Sequence, residues 1–287
     1  MLSGEISNLK KKRDVPGLLT LYAHNVNNVN TIHLANIYGT LAKEVRGSDN
    51  VEKLKTDETF KGLLESTIEQ LQSTQEWFDV RGIATITHSL GKLKISDERF
   101  FNEIVKLSKR IAKEGNTQEL SNIVWACATV GCESAELLEA VAGEYERIAK
   151  TGKVQELSNI TWAFAKLECN ADALFGKVAG EYERIAESGN VQEMSNICWA
   201  FATIGHEAKD LFKAVAAQHG RFVRDGNEQH VTNTLWSFAI AGYLNEGEGS
   251  DEIEKLRKRI AKEGGPTGTE QYCLGVCDSW VEIGGTP

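Results

Sequence analysis

Proline is scarce in this chain, with three in 287 residues, at positions 16, 266 and 287. An interior proline removes a ladder hydrogen bond and kinks a helix. Nothing of that kind interrupts the long middle of the sequence, which leaves it open to continuous helical structure. Long apolar runs are missing as well. No stretch approaches the roughly 20 apolar residues of a membrane-spanning helix, so no membrane insertion is expected. Residues 1–20 lack a continuous apolar core, which argues against a secretory signal. They carry Lys10, Lys11, Lys12 and Arg13 beside Glu5 and Asp14, a mixture that does not read as a transit peptide.

Catalytic signatures are absent too. There is no P-loop, no dinucleotide fingerprint after a strand and no nucleophile elbow. No catalytic residue, cofactor, metal or small-molecule substrate is expected, and the chain does not read as an enzyme. The six cysteines form no secreted-type framework. Cys127 and Cys198 fall within helical apolar patterns, where cysteine acts as a small hydrophobe. An intracellular, reducing compartment follows. The chain also lacks a cationic excess. Its net charge is −9, and acidic chains are not the default nucleic-acid binders.

What the chain has is repetition. Four segments align without gaps: Gln118–Gly131, Gln155–Glu168, Gln192–Gly205 and Gln229–Gly242. Asparagine recurs at 122, 159, 196 and 233, and tryptophan at 125, 162, 199 and 236, each step being 37 residues. A fixed period of this size marks an array of repeats. Weaker copies lie upstream, with Thr85 and His88, and then Asn36, at equivalent places. A further weak copy, Gln271–Gly284, follows the acidic loop Asn245–Ser250. The reading is an all-α, right-handed α-solenoid of tandem 37-residue helix–turn–helix repeats. Residues 1–79 form a degenerate N-terminal repeat or cap and 80–244 the regular repeats. Residues 245–287 form an acidic loop and a capping repeat, since end repeats face water on one side.

Each repeat reads as two helices. Helix A carries the Gln-x-x-x-Asn-x-x-Trp block. Helix B, as in Ala135–Lys150, sets Leu138, Val141, Tyr145, Ile148 and Ala149 on one face at helical spacing. Glycines 115, 152, 189 and 226 close the B-to-A turn, where a left-handed residue is expected. Asn116 with Glu119, and Asn190 with Glu193, have the spacing of a capping box.

At 100° per residue, Gln118, Asn122, Trp125 and Thr129 share one side of helix A. The later repeats supply Gln155, Asn159, Trp162 and Lys166, then Gln192, Asn196, Trp199 and Thr203, then Gln229, Asn233, Trp236 and Ile240. An amide beside a flat ring suits the reading of an unstacked base or a peptide backbone. The tryptophan and asparagine would equally serve to pack and bridge adjacent repeats, as identity in every repeat favours. Selectivity is then expected where the repeats differ: Val124, Thr161, Cys198 and Leu235, or, on the polar side, Thr129, Lys166, Thr203 and Ile240.

Cys132, Cys169 and His206 recur after helix A. One repeat step is far too long for a shared zinc ion, whose thiolate bonds are about 2.3 Å. Cys273 and Cys277 are too sparse a pair to form a site. The glycine-rich stretch 264–268 reads as a connector. Charge is uneven. Residues 81–117 carry eight Lys/Arg against four Asp/Glu, whereas 118–154 and 155–191 are each net −3. Arg81, Lys92, Lys94, Lys106, Lys109, Arg110 and Lys113 are therefore the candidate phosphate contacts, with Arg99 in the same run.

The block Leu-Ser-Asn-Ile-x-Trp-Ala-Phe-Ala, as at 157–165, resembles the octotricopeptide and heptatricopeptide repeat proteins and the related repeats of FAST-kinase-like proteins. The resemblance spans about residues 30–284. It implies an α-solenoid of a mitochondrion or chloroplast that binds single-stranded RNA through the variable helix-A positions. The 37-residue length is closer to the heptatricopeptide type. The chain departs from the octotricopeptide pattern at the start of helix B, and no RAP domain follows. The alternative partner is protein, with the chain a scaffold or accessory subunit of a large assembly.

Overall fold

The computed structural model describes residues 2–73 and 78–243, and among these every regular element is helical. No helix among them is long and apolar enough to cross a membrane. The residues fall into two compact units, one ending at Gly143 and the other beginning at Glu144.

The first unit holds α1 (Leu2–Lys12), α2 (Val15–His24), α3 (Thr31–Glu44), α4 (Ser48–Thr56) and α5 (Glu58–Ser73). It continues with α6 (Val80–Lys92), α7 (Glu98–Lys106), α8 (Ser108–Glu114), α9 (Thr117–Val130) and α10 (Ala135–Ala142). The second unit holds α11 (Tyr145–Thr151), α12 (Val154–Lys166), α13 (Asp172–Ala179), α14 (Tyr182–Ser188) and α15 (Val191–Ile204). It continues with α16 (Lys209–Ala216), α17 (His219–Asp225) and α18 (Glu228–Ile240). The acidic loop, Gln271–Gly284 and Cys273 and Cys277 lie outside the described residues.

Helix A of the sequence reading is α6, α9, α12, α15 and α18. In the first unit α6 packs against both α3 and α9, and in the second α15 packs against both α12 and α18. The contact is close because small residues face it. In the second unit Ala163, Ala165, Ala200 and Ala202 are buried, as are Ser158 and Ser195. Ser195 donates to the His230 carbonyl of the next A helix at 2.9 Å. In the first unit a β-carbon on Gly91 would stand 2.8 Å from the backbone of Ala126, so α6 and α9 approach at a glycine.

Helix starts are chemically marked. Asn116 accepts from the Glu119 backbone at 3.0 Å, and Glu119 returns an acceptor to the Asn116 N–H at 2.9 Å. Asn190 and Glu193 repeat this. Asn227 is capped reciprocally by His230, a partner that the Glu/Gln rule does not anticipate. At Lys153 only the Glu156 half survives, at 3.0 Å.

Two expectations need correction. Helix B is not one helix. It stops and restarts, as α7 and α8, α13 and α14, and α16 and α17, so the repeat holds three helices, here A, B and C. The restart residues Glu181 (φ −89°, ψ 18°) and Gln218 (φ −85°, ψ 11°) leave helical geometry for the sparsely allowed bridge region. The apolar spacing runs through the break, from Leu174, Phe175 and Val178 to Ile185, so the pattern looked continuous.

The B-to-A glycines are also not left-handed. Gly115, Gly152, Gly189 and Gly226 lie near φ −70 to −80°. Glycine stands there because the turn is tight. An added β-carbon would fall 2.7, 2.5 and 2.3 Å from the carbonyl oxygens of Ile111, Ile185 and Phe222 at positions 115, 189 and 226. The left-handed residues instead end helix A, at Lys94, Gly131, Glu168, Gly205 and Gly242.

Candidate nucleic-acid interface

The helix-A side chains form a ridged face. In the second unit Gln155, Gln192 and Gln229 are exposed, and so are Lys166, Thr203 and Ile240 at the other end. Between them Asn159, Asn196 and Asn233, and Trp162, Trp199 and Trp236, are half-buried. Side-by-side packing of α12, α15 and α18 turns these into parallel rows. In the first unit α9 carries exposed Gln118 and half-buried Asn122, Trp125 and Thr129.

The repeated asparagines bridge nothing. Among the described residues, none bonds to the side-chain amides of Asn122, Asn159, Asn196 or Asn233, and the tryptophan N–H groups are equally unengaged. A structural amide of this regularity would be expected to find partners. The upstream copy shows the contrast, since Asn36 donates to the Ile32 carbonyl and accepts from Lys10. The positions Val124, Thr161, Cys198 and Leu235, considered for selectivity, are buried. They lie on the apolar stripe of the helix. Thr129, Lys166, Thr203 and Ile240 are the accessible variable set.

The upstream helices carry different chemistry on the same face. The equivalents of Gln, Asn, Trp and the variable residue are Arg81, Thr85, His88 and Lys92 on α6. On α3 they are Ile32, Asn36, Gly39 and Lys43. Ile32 is 64% exposed, an apolar side chain left on the rim. His88 meets the Trp125 ring at 5.1 Å between centroids, tilted by 54°. Burial, and then the charge of Lys92, hold its pKa below the usual histidine value, so it stays neutral near pH 7.

Of the candidate phosphate contacts, Arg81, Lys92, Lys94, Lys106, Lys109 and Lys113 are exposed. Lys106 pairs with Glu103 at 2.7 Å, and Arg99 with Glu65 at 2.6 Å. Arg110 does other work. Its Nη2 donates to the Phe78 carbonyl at 2.8 Å and its Nε faces Glu114 at 3.0 Å, so it joins segments of the fold.

Arg110 is one of a series that sequence reading missed. Arg184 donates to the carbonyls of Ala149 and Gly152, and Arg221 to those of Ala186 and Gly189. Each is held by the residue that starts helix C: Glu181 lies 2.8 Å from Arg184 Nε, and Gln218 accepts from Arg221 at 3.4 Å. Arg147 has Glu144 at 2.9 Å. The signal was an arginine at 110, 147, 184 and 221, again 37 apart. Elsewhere, His206 packs on Phe175 and Phe201. A hydrogen bond between the two thiols raises the buried Cys127 thiol and lowers that of Cys132.

Residues 52–252, covering 201 of the 287 positions, match the family described as RNA-editing substrate-binding complex 6 protein. The chain belongs to this family. The match covers α5 to α18 and so includes every regular repeat. No individual curated protein gives a significant match. As a member of the RNA-editing substrate-binding complex 6 family, the chain is a helical-repeat, RNA-associated protein. The family match does not extend to the octotricopeptide or heptatricopeptide type.

Proposed function

We propose that this protein is a non-enzymatic subunit of an RNA-editing substrate-binding complex, and that its helix-A face binds single-stranded RNA. The observation that carries this reading is the row of unengaged asparagine amides, each beside a half-buried tryptophan, repeated from helix to helix. An indole offers a stacking surface to any base, worth about 1–3 kcal/mol per base. An amide with free donor and acceptor reads base edges. The family description supplies the RNA and the multi-protein setting, and the repeat resemblance supplies an organellar, mitochondrial location.

On this reading the 37-residue repeats build a right-handed α-solenoid. Helix starts at Thr117, Val154, Val191 and Glu228, together with the serial packing of A helices within each unit, support it. The resemblance to heptatricopeptide repeats assigns base selectivity to Thr129, Lys166, Thr203 and Ile240, where accessible side chains differ.

The test is a filter-binding titration with single-stranded RNA, comparing the wild type with an Asn159→Ala, Asn196→Ala, Asn233→Ala triple variant. The amides have no partner among the described residues, so thermal stability should hold while affinity falls about 10-fold or more. Absence of wild-type binding at low salt would overturn the RNA reading. Recovery of one stoichiometric protein partner alongside that result would identify a scaffold instead.

A further inference from the structure

A second feature of the first unit lies away from the asparagine and tryptophan rows. A groove of about 550 Å³ opens where the ends of α3 and α6 meet α4. Its walls carry Lys43, Arg46, Lys55, Lys92 and Lys94, against one acid, Glu52. Glu52 is taken by Lys55 at 2.7 Å. Among the described residues, no carboxylate pairs with Lys43, Lys92 or Lys94. In a chain of net charge −9 this is a marked local concentration of unneutralised cations.

Cations near helix C-termini also arise for an ordinary reason, since they stabilise the helix dipole. That accounts for Lys43 and Lys92. It does not account for Lys94, which stands one residue past the cap of α6 at φ 51°. The equivalent place is glycine at 131, 205 and 242, and glutamate at 168 with the same φ of 51°. A side chain in the left-handed region costs about 1–2 kcal/mol. Strain of this kind concentrates at functional sites. At Lys94 the strained position adds a fifth cation to the groove.

Within the first unit the groove adjoins the far ends of the A helices α3 and α6. Lys43 and Lys92 occupy the variable position on α3 and α6, the place that Lys166 and Thr203 occupy in the second unit. A strand lying on the A helices therefore has its backbone beside the groove.

We infer that this groove is a phosphate site for the backbone of single-stranded RNA, formed by Lys43, Lys92 and Lys94 with Arg46 and Lys55 at its rim. The inference rests on the RNA reading of the preceding section and assigns the electrostatic part of that binding to one place.

The test uses fluorescence anisotropy of the full chain with a 3′-labelled, mixed-sequence single-stranded RNA of about 20 nucleotides, titrated at several salt concentrations. Each phosphate contact contributes about 0.7 to the slope of log affinity against log salt on single strands. A Lys43→Ala, Lys92→Ala, Lys94→Gly variant should lose about 2 from that slope and bind about 10-fold more weakly at low salt, whatever the RNA sequence. A Lys150→Ala, Lys177→Ala control, on α11 and α13, should leave the slope unchanged. RNAs with 5′-phosphate and 5′-hydroxyl ends should behave alike, and dependence on the 5′-phosphate would overturn a backbone site. An unchanged slope in the triple variant, with normal wild-type binding, sinks the groove alone. No wild-type binding sinks the RNA reading and the groove together. Competition by polyglutamate equal to that by RNA of matched charge would replace RNA with an acidic protein partner. A folding defect is separable, because Lys94→Gly relieves strained backbone and should raise the melting temperature while affinity falls.

Discussion

The two units present the same helix-A positions with different chemistry. In the second unit the rows read Gln, Asn, Trp and a variable residue on α12, α15 and α18. In the first, α6 substitutes Arg81, Thr85, His88 and Lys92, and α3 substitutes Ile32, Asn36, Gly39 and Lys43. The second unit's face offers rings and free amides; the first keeps that set on α9 and adds charge on α3 and α6. Stacking and hydrogen bonding are short-ranged and tolerate salt, whereas phosphate neutralisation fades as salt rises. A repeated backbone can thus divide one binding task into a part that grips bases and a part that grips phosphates. Four substitution series test whether the division is real.

The largest effect is expected from Trp162→Ala, Trp199→Ala and Trp236→Ala combined. RNA affinity should fall at least 100-fold, at about 1–3 kcal/mol per base, with the salt slope preserved. A changed slope would mean that the second unit also binds phosphates, and the contrast between the units would collapse. Next comes the arginine series. Arg221→Met strands the carbonyls of Ala186 and Gly189 and should cost about 2–3 kcal/mol in denaturant unfolding, because charge-assisted bonds of this kind are strong. Arg110→Met should destabilise the first unit in the same direction through Phe78. RNA affinity measured well below the unfolding transition should not follow either change.

A smaller effect separates Lys94 and Glu168, the two non-glycine residues that end an A helix in left-handed backbone. Glu168→Gly should stabilise by about 1 kcal/mol and leave RNA affinity intact or slightly improved. Lys94→Gly should give a similar gain in stability with weaker binding. Equal binding in both variants would remove the special status of Lys94. The smallest effect concerns His88. Burial keeps it neutral in the folded chain, while the unfolded chain takes up its proton near pH 6.5. The unfolded state then binds more protons, so stability falls as pH drops below about 6.5. His88→Phe should flatten that part of a melting-temperature profile. An unaltered profile would show that His88 titrates normally.

Legibility in the sequence followed the reach of each signal. The asparagine caps and the exposed side of helix A are encoded within a few turns of one helix, and they read directly. Helix B hid its break because Leu174, Phe175, Val178 and Ile185 keep helical spacing through Glu181. Glycine misled at 115, 189 and 226, since a clash with a carbonyl also demands glycine, and the true left-handed sites include a lysine and a glutamate. Arg110 was read as a surface charge because its acceptor at Phe78 lies 32 residues away. The cationic groove needs α3 and α4 folded beside the end of α6, so counting charge by successive repeats divided it between segments.

The arginine links carry a consequence for how such a chain can change length. Arg184 and Arg221 each bond to carbonyls 32 and 35 residues behind them, just short of one full repeat. Duplicating or deleting a whole 37-residue segment in the second unit would give every arginine an equivalent pair of acceptors. A partial insertion between acceptor and arginine would leave both ends unmatched. The link therefore works as a ruler in heredity: it lets the array grow or shrink by whole repeats and penalises every other change in length.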